Sequence, residues 1–328
     1  MLTWKTWTRY LPVLFFILSA CSHQQIISKQ VEQTVFVAEG MEDTLVSQYA
    51  PAFLIDNNLY QYNKIGRPSA KYNDGGRITV YVDTKRPTIY YMVRKLVTDK
   101  ASYTNFIYRV HFSETPFNLF PFHLTAGKNV GLMAIITVDD RERPVLITTV
   151  HTCGCYLAIV PTSNLPHDAF PKRWKEKPLK VYGEKLPWIL KYENKKNPKL
   201  LVRLRSGVHR VMDLQITKLR QLHDAGSVIE SSHLMHLDKL EKLPLNGSTT
   251  SFYHHKGPLK GHVKGAIKPW ESILLSLISL DLFVGTDKAY ANTEKTGNPF
   301  YTSLKPWNRR ASDMWDFNKF LMFWGWNL

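Results

Sequence analysis

The sequence predicts an α+β protein, with an antiparallel strand-rich body of the sandwich or barrel type and a helical C-terminal part. Between residues 77 and 216, about eight to ten short segments rich in Val, Ile and Thr are separated by turns. Beyond residue 217, apolar residues recur at helical spacing instead. Strands and helices are therefore segregated along the chain, which favours α+β over an alternating βαβ architecture. We expect four regions, namely a signal peptide at 1–20, a tether at 21–50, a β-rich domain at 51–216 and a mainly helical region packed on it at 217–328.

The segment 103–112 has the period of two that is typical of a strand with two different faces. Phe106 and Tyr108 share one face, whereas Arg109 and His111 share the other. We therefore expect a strand with one side in the core and one wetter side.

Two pairs of segments are typical of antiparallel hairpins. They are 130–138 with 145–160, and 200–205 with 208–216. The first pair flanks the polar loop 139–144, and the second flanks Ser206 and Gly207, where glycine permits the positive φ of a tight turn. Further strands are predicted at 78–82, 87–97, 179–182 and 188–192.

Three helices are predicted beyond residue 217. Ser232 can cap the first, in which leucines recur every three residues up to 243. The second begins at Pro269 and extends to 283, with a narrow serine stripe on an otherwise Ile- and Leu-rich surface, so it is a buried core helix or an interfacial one. Ser312 can cap the third, at about 313–324.

The first twenty residues have the layout of an export signal. Lys5 and Arg9 form a positive region, 11–18 is a short apolar run, and the small residues Ser19 and Ala20 follow. Because a hydrocarbon core needs about 20 apolar residues, this run is too short for a stable membrane span.

The tetrad Leu18-Ser19-Ala20-Cys21 resembles the lipobox of bacterial lipoproteins. The resemblance covers about 21 residues and implies that the Cys21 thiol is acylated, that the signal is cut before it, and that the new amino terminus is acylated too. Since Ser22 rather than an aspartate follows Cys21, the resemblance implies a lipid anchor in the outer membrane, and we expect the protein to face the periplasm. Several acyl chains such as palmitate hold a protein firmly, so no further membrane segment is needed.

The chain is strongly basic, with a net charge of +16. Removing 1–20 removes Lys5 and Arg9 and no acid, which leaves 16 − 2, or +14. Thirteen Lys or Arg lie between 172 and 210. An exported protein meets lipid A phosphates, polysaccharide and phospholipid headgroups rather than nucleic acid, so we expect an anionic envelope ligand or, alternatively, a merely solvated basic surface. The candidate contacts are Lys195, Lys196, Lys199, Arg203 and Arg205.

The segment HTCGC, 151–155, contains both cysteines that follow Cys21. In a regular strand His151, Cys153 and Cys155 would project from one face, nearly 7 Å apart, which is too far for a disulfide. Gly154 allows the backbone to bend, and a bend there would permit a small disulfide ring that is easily reduced. The pattern is not the Cys-x-x-Cys of a helix start.

Three interpretations of HTCGC therefore stay open. The cysteines are structural, buried or disulfide-bonded; or they bind zinc or copper together with His151; or one is a reactive thiol with His151 as its base. For the metal, His111 is the first candidate for a fourth ligand, followed by His123 and the pair at 254–255.

No G-x-S-x-G, H-E-x-x-H, Walker or G-x-G-x-x-G pattern is present. The sequence thus favours a binding or envelope-maintenance factor over an enzyme. The alternatives are a periplasmic thiol enzyme or redox factor using Cys153, Cys155 and His151, and a structural tether to another envelope protein.

Overall fold

A ten-stranded mixed sheet, curled into a half-barrel, is the central feature of the fold. The computed structural model describes residues 33–39, 44–120, 122–192, 198–224 and 226–328. The predicted signal peptide, Cys21, Lys195 and Lys196 lie outside these residues. The strands of this sheet are β1 (Gln33–Glu39), β2 (Ala52–Asp56), β5 (Thr88–Val97), β6 (Ser102–Thr115), β7 (Gly127–Val138), β8 (Pro144–His151), β9 (Ala158–Pro161), β12 (Lys199–Leu204), β13 (Val211–Thr217) and β14 (Val228–His236).

The strand order is β13-β12-β2-β1-β14-β5-β6-β7-β8-β9. From β5 to β9 the strands form an antiparallel meander. In the other half, β12 pairs with β2 in parallel, and β14 is parallel to both of its neighbours, β1 and β5.

Three two-stranded hairpins and five short helices complete the described elements. The hairpins join β3 (Arg67–Tyr72) to β4 (Ile78–Asp83), β10 (Leu179–Val181) to β11 (Glu184–Leu186), and β15 (Leu243–Leu245) to β16 (Ser248–Thr250). The α-helices are α1 (Leu45–Tyr49), α2 (Leu219–Asp224), α3 (Pro269–Ser279), α4 (Thr293–Thr296) and α5 (Phe317–Phe323). Turns of 3₁₀ helix occur at Gln61–Asn63, His167–Ala169, Leu237–Glu241 and Pro306–Asn308.

The predicted α+β class, with a strand-rich body and helices near the C-terminus, is confirmed. The sheet is mixed rather than purely antiparallel, because β14 returns from the C-terminal part of the chain to lie beside β1 and β5. Segment 145–160, expected as one strand, is divided into β8 and β9 by a turn.

Both faces of the meander are buried, so the expected wetter side of β6 does not exist. One face carries a core that includes Phe106 and Tyr108, and the other a second core to which the C-terminal part contributes. Arg109 and His111 point into that second core and are each 0% exposed. The sequence pattern showed the polar residues correctly, but the segment that covers them is distant in the chain.

The helix predicted after Ser232 is replaced by β14 and the following 3₁₀ turn. Ser232 lies opposite Ala38 of β1 inside the sheet and is fully buried. Pairing with two neighbouring strands outweighs the leucine spacing here, since tertiary context overrides a weak local preference. The ten-stranded sheet contains strands from both sides of the predicted division at 216/217, and the chain from Glu32 onward forms one compact unit.

The predicted tether 21–50 already contains β1 and α1. In β1, Val35 and Phe36 are consecutive and both buried, because a central strand is covered on both faces. The sequence of such a strand lacks the alternation of apolar and polar residues by which a half-buried strand is recognised.

Helix α3 exists where Pro269 predicted it but does not bury its apolar surface. Leu277 is 84% exposed, whereas Glu271 and Ser279 are buried. No helix among the described residues combines the length and the apolar character needed to cross a bilayer.

Candidate functional site

The HTCGC segment forms a tight turn between β8 and β9. The His151 amide donates to the Cys155 carbonyl at 2.9 Å, and the Gly154 amide donates to the His151 carbonyl at 2.8 Å. Gly154 has a φ of 95°, which is accessible to glycine at little cost. The bend leaves the Cα atoms of Cys153 and Cys155 at 5.6 Å, and the two cysteines form a disulfide.

Gly154 is required for a second reason, which is close contact with the C-terminal part. A Cβ atom at this position would overlap the carbonyl oxygen of Tyr301. The disulfide turn therefore packs against the backbone of Tyr301, which is 301 − 154, or 147, residues further along the chain.

His151 lies behind the disulfide turn and is 3% exposed. Its Nε2 donates to the His209 carbonyl at 3.0 Å, so its Nδ1 carries the free lone pair. Its ring packs edge-on against Tyr156, with the centroids 4.7 Å apart. Burial, reinforced by Lys268, lowers the pKa of His151 to about 3. The imidazole is therefore neutral at physiological pH but only weakly basic, and this low basicity weakens its case as the base of a Cys-His pair.

The geometry fits a metal only when the disulfide is reduced. The ligand atoms of His151, Cys153 and Cys155 lie within 4.8 Å of one another, and no other such group of His, Cys, Asp or Glu occurs among the described residues. Zinc and copper bind thiolates and neutral imidazole, and a disulfide provides no thiolate. Zinc or copper would thus be held by the reduced form, through both sulfur atoms and His151 Nδ1.

His111 is not brought together with this group. It pairs with Gly131, whereas His151 pairs with the next residue of β7, Leu132. Consecutive residues of a strand point to opposite faces, so His111 and His151 lie on opposite sides of the sheet. The Nε2 of His111 accepts from Arg109 Nε at 3.0 Å.

The weaker metal candidates also lie elsewhere. His123 lines a separate, larger cleft, and its Nδ1 is 3.0 Å from the Pro116 carbonyl oxygen. His254 and His255 line another cavity, near α4.

A cavity of about 160 Å³ opens beside the disulfide. The disulfide, three tyrosines and one carboxylic acid contribute to its wall, namely Cys153, Cys155, Tyr156, Tyr182, Tyr301 and Glu271. Cys153 is 4% exposed, whereas Cys155 is only partly buried. A molecule that enters the cavity therefore meets Cys155 more readily.

Glu271, in the first turn of α3, is the acid of this cavity. It is 4% exposed, and within the described part of the chain its Oε2 has no hydrogen-bond partner. Burial raises the pKa of Glu271 against the opposing effect of Lys268 and Lys288. Glu271 can therefore hold a proton closer to neutral pH than an ordinary glutamate.

Two buried lysines lie behind the turn. Lys288 donates from Nζ to the Cys153 carbonyl at 3.1 Å, and burial lowers the pKa of Lys288 to about 8. Lys268 pairs with Asp287 at 3.0 Å. Burial opposes the charge on Lys268, but Asp287 and Glu271 outweigh it, so the pKa of Lys268 lies above its usual value. Positive charge near a cysteine stabilises its thiolate.

Sequence reasoning missed Lys268, Glu271, Asp287 and Lys288. The available signal was weak, since these residues are ionisable positions in the largely apolar stretch 266–290. Nothing in that stretch indicates which distant strand it covers.

A larger cleft of about 620 Å³ adjoins the disulfide cavity and shares Leu124, Thr125 and Tyr156 with it. Arg205 and Arg210 line this cleft, and both pair with Glu184, at 2.5 Å and 3.0 Å. Arg205 in particular lowers the pKa of Glu184.

The other predicted anion contacts that are described are also engaged. Arg203 pairs with Asp56 at 3.1 Å, and Lys199 donates from Nζ to the Ser47 carbonyl at 2.7 Å. Burial lowers the pKa of Lys199. The described basic residues of 172–210 do not converge into one free anion site, because several serve internal ion pairs and hydrogen bonds.

Comparison with family models, with curated proteins and with solved structures found no match for this chain.

Proposed function

We propose that this protein is a lipid-anchored cell-envelope factor that exchanges its Cys153–Cys155 disulfide with the thiols of a substrate. The observation that carries the proposal is the shared cavity, in which this disulfide and the buried carboxyl group of Glu271 meet. The anchor is the acyl group on Cys21 that the lipobox implies. It places the protein in an oxidising compartment, where a protein disulfide persists.

A purely structural role for the disulfide has weak physical support. In the chain-entropy description, closing a loop of about three residues contributes about 1.6 kcal/mol, against about 3 kcal/mol for fifteen residues. The turn is already fixed by its own backbone hydrogen bonds and by the contact of Gly154 with Tyr301. A bond that adds little stability and lines a cavity is better suited to exchange.

The proposed exchange has two steps. A substrate thiolate attacks Sγ of Cys155, the more exposed cysteine; a mixed disulfide forms, and Cys153 leaves as a thiolate that takes a proton. A second substrate thiolate then attacks the mixed disulfide and releases Cys155. The substrate dithiol is oxidised to a disulfide, the protein disulfide is reduced to a dithiol, and a disulfide compound such as oxidised glutathione restores the protein.

Four buried ionisable side chains near the disulfide have roles in this scheme. Lys268 and Lys288 stabilise the Cys153 thiolate as it forms. Protonated Glu271 supplies the proton within the same cavity. His151, neutral and tied to the His209 carbonyl, orients the turn rather than carrying a proton.

The test uses the full chain with Cys21→Ser, so that only the two cavity cysteines are counted. The folded protein is treated with dithiothreitol and alkylated, and the added mass gives the number of thiols. We expect two thiols to appear without loss of the folded circular dichroism spectrum. A disulfide that stays intact until the chain unfolds would overturn the proposal.

Two matched variants identify the attacking sulfur. With Cys153→Ser, the remaining Cys155 should form a lasting mixed disulfide with oxidised glutathione, because no second cysteine resolves it. With Cys155→Ser, the buried Cys153 should react much more slowly. Equal reactivity of the two variants contradicts the assigned roles.

A metal-binding function of the reduced form is a second candidate, favoured by the close approach of the three ligand atoms. Elemental analysis of protein purified under reducing conditions tests it. One zinc or copper per chain, lost with His151→Ala, supports a metal site; a metal-free dithiol excludes one under those conditions.

Binding of an anionic envelope ligand, such as lipid A, polysaccharide or phospholipid headgroups, is a third candidate. It is supported only by the strongly basic charge of the chain, because Arg205 and Arg210, which line the larger cleft, already pair with Glu184. Binding of lipid A should fall steeply with salt and with charge reversal at Lys195 and Lys196, which lie outside the described residues. Salt-independent binding, or none, argues against it.

A further inference from the structure

Helix α3 is amphipathic, but its apolar side faces solvent instead of the protein core. Ile273, Leu277 and Ile278 are 66%, 84% and 65% exposed. The side turned to the body carries Glu271 and Ser279. Glu271 is the only ionisable residue of α3, so the outward side of this helix carries no charge.

The segment after β6 extends this surface with aromatic rings. Phe117 and Phe122 each lie 5.9 Å from Trp270, measured between ring centroids, and they are 54% and 45% exposed. We call the outward residues Trp270, Ile273, Leu277 and Ile278, together with Phe117 and Phe122, the docking face. Monomeric proteins rarely expose contiguous apolar surface of this kind without a partner for it.

The chemistry of the docking face fits a phospholipid surface. A helix that lies in a membrane interface has Trp, Phe, Leu and Ile on one side and little charge among them, and Trp rings favour the headgroup level. At eleven residues α3 is too short to cross a bilayer, which leaves insertion parallel to the surface.

Basic residues lie at both ends of α3. Lys128 is exposed and follows Gly127, which is packed against Lys268 just before the helix. At the other end, Arg309 donates to the Ser279 carbonyl, and the next residue, Arg310, is exposed. Exposed basic residues at these positions attract anionic headgroups.

The length of the preceding chain also favours a membrane as the occupant. Eleven residues, 22–32, separate Cys21 from Gln33, the first residue of β1. The twelve steps from Cys21 to Gln33 (33 − 21) span at most about 3.5 Å each in an extended chain, or roughly 42 Å in total. With Cys21 acylated, which belongs to the proposed function, the start of β1 remains within that distance of a bilayer.

We propose that the docking face inserts into the interface of a phospholipid bilayer and forms a second membrane contact, independent of the acyl group. A second copy of this chain and a protein partner are the competing occupants. Vesicle binding and the oligomeric state in solution distinguish these occupants from a membrane.

The test uses the full chain with Cys21→Ser, which cannot be acylated there, and flotation with vesicles of phosphatidylcholine alone or with added phosphatidylglycerol. We expect binding to both vesicles, stronger with phosphatidylglycerol at low salt. Leu277→Glu should reduce the partition coefficient by about tenfold or more. The matched control is Val97→Glu, because Val97 is also an exposed apolar residue, at 67%, but is the last residue of β5 and not part of the docking face.

Tryptophan fluorescence provides a second measurement of contact with lipid. Brominated phospholipids should quench part of the tryptophan fluorescence, and the quenched part should shrink with Trp270→Phe. Absence of binding to both kinds of vesicle overturns the inference. It is also overturned if the protein binds no vesicles but forms a dimer in solution that Leu277→Glu dissociates. Because the acyl group is absent throughout, vesicle binding would stand even if palmitate labelling showed that Cys21 is not acylated.

Discussion

Glu271 is the residue on which the proposed proton transfer depends. Glu271→Gln keeps the shape of the side chain and removes its proton. We expect the rate of disulfide reduction near pH 6 to 7, at a constant concentration of dithiothreitol thiolate, to fall about tenfold or more and to lose its pH dependence.

The control is Glu294→Gln, at an exposed glutamate in α4, which should leave the rate unchanged. A rate for Glu271→Gln with the pH profile of the unsubstituted protein would show that Glu271 supplies no proton.

Gly154 combines a positive φ with close contact to another segment, and these two effects can be separated. Gly154→Ala places a methyl group against the Tyr301 carbonyl and should lower the free energy of unfolding by at least about 3 kcal/mol. Gly183 has a similar φ, +91°, with nothing near its missing Cβ. Gly183→Ala should therefore cost only about 1–2 kcal/mol. Urea denaturation of both variants checks this, and equal losses would mean that the contact with Tyr301 contributes nothing.

At the scale of single elements, β14 is where local pattern and tertiary structure disagree most clearly. A helix beginning after Ser232 would tolerate proline at that position, whereas a strand inside a sheet would not. We expect Ser232→Pro to cost about 3 kcal/mol or more, or to prevent folding.

Ser232→Ala is the matched control for this position. The Ser232 hydroxyl is buried without a hydrogen-bond partner among the described residues, so its removal should be neutral or stabilising. Thermal unfolding of the two variants checks both outcomes. A stable Ser232→Pro protein would restore the helical prediction.

The elements that the sequence predicted best are those whose pairing is local. Hairpins 130–138 with 145–160 and 200–205 with 208–216 correspond to β7 with β8 and β12 with β13, because their partners are adjacent in the chain. Strand β1 was missed because both of its faces are buried. It also pairs in parallel with β14, where Thr34 lies opposite Val228, which is 228 − 34, or 194, residues further along the chain.

For the whole molecule, buried neutral histidines predict sensitivity to acid. Burial lowers the pKa of His151 and of His209 to about 3, whereas both should titrate near 6.5 when the chain is unfolded. Above pH 6.5 they are neutral in both states. As the pH falls from 6.5 toward 3, both histidines become protonated in the unfolded chain but stay neutral in the folded protein. The free energy of unfolding therefore decreases by about 1.4 kcal/mol per pH unit for each histidine.

Urea midpoints measured between pH 7 and 5 test this expectation. His209→Gln should make the dependence of stability on pH less steep, while His255→Gln, at an exposed position, should not change it. If the slope is the same for both variants, the buried histidines are not responsible for the acid sensitivity.

The sequence by itself determined the α+β class, most strands of the meander, the start of α3, the basic charge and the capacity of Gly154 for a bend. These follow from short-range periodicity and residue chemistry, which local sequence records. Only the tertiary structure decided that HTCGC closes a disulfide beside Glu271, that Arg109 and His111 are buried, and that α3 turns its apolar side outward. Each of these depends on which distant segment covers which face, and the free energy of that choice is distributed over contacts that no single stretch of the chain contains.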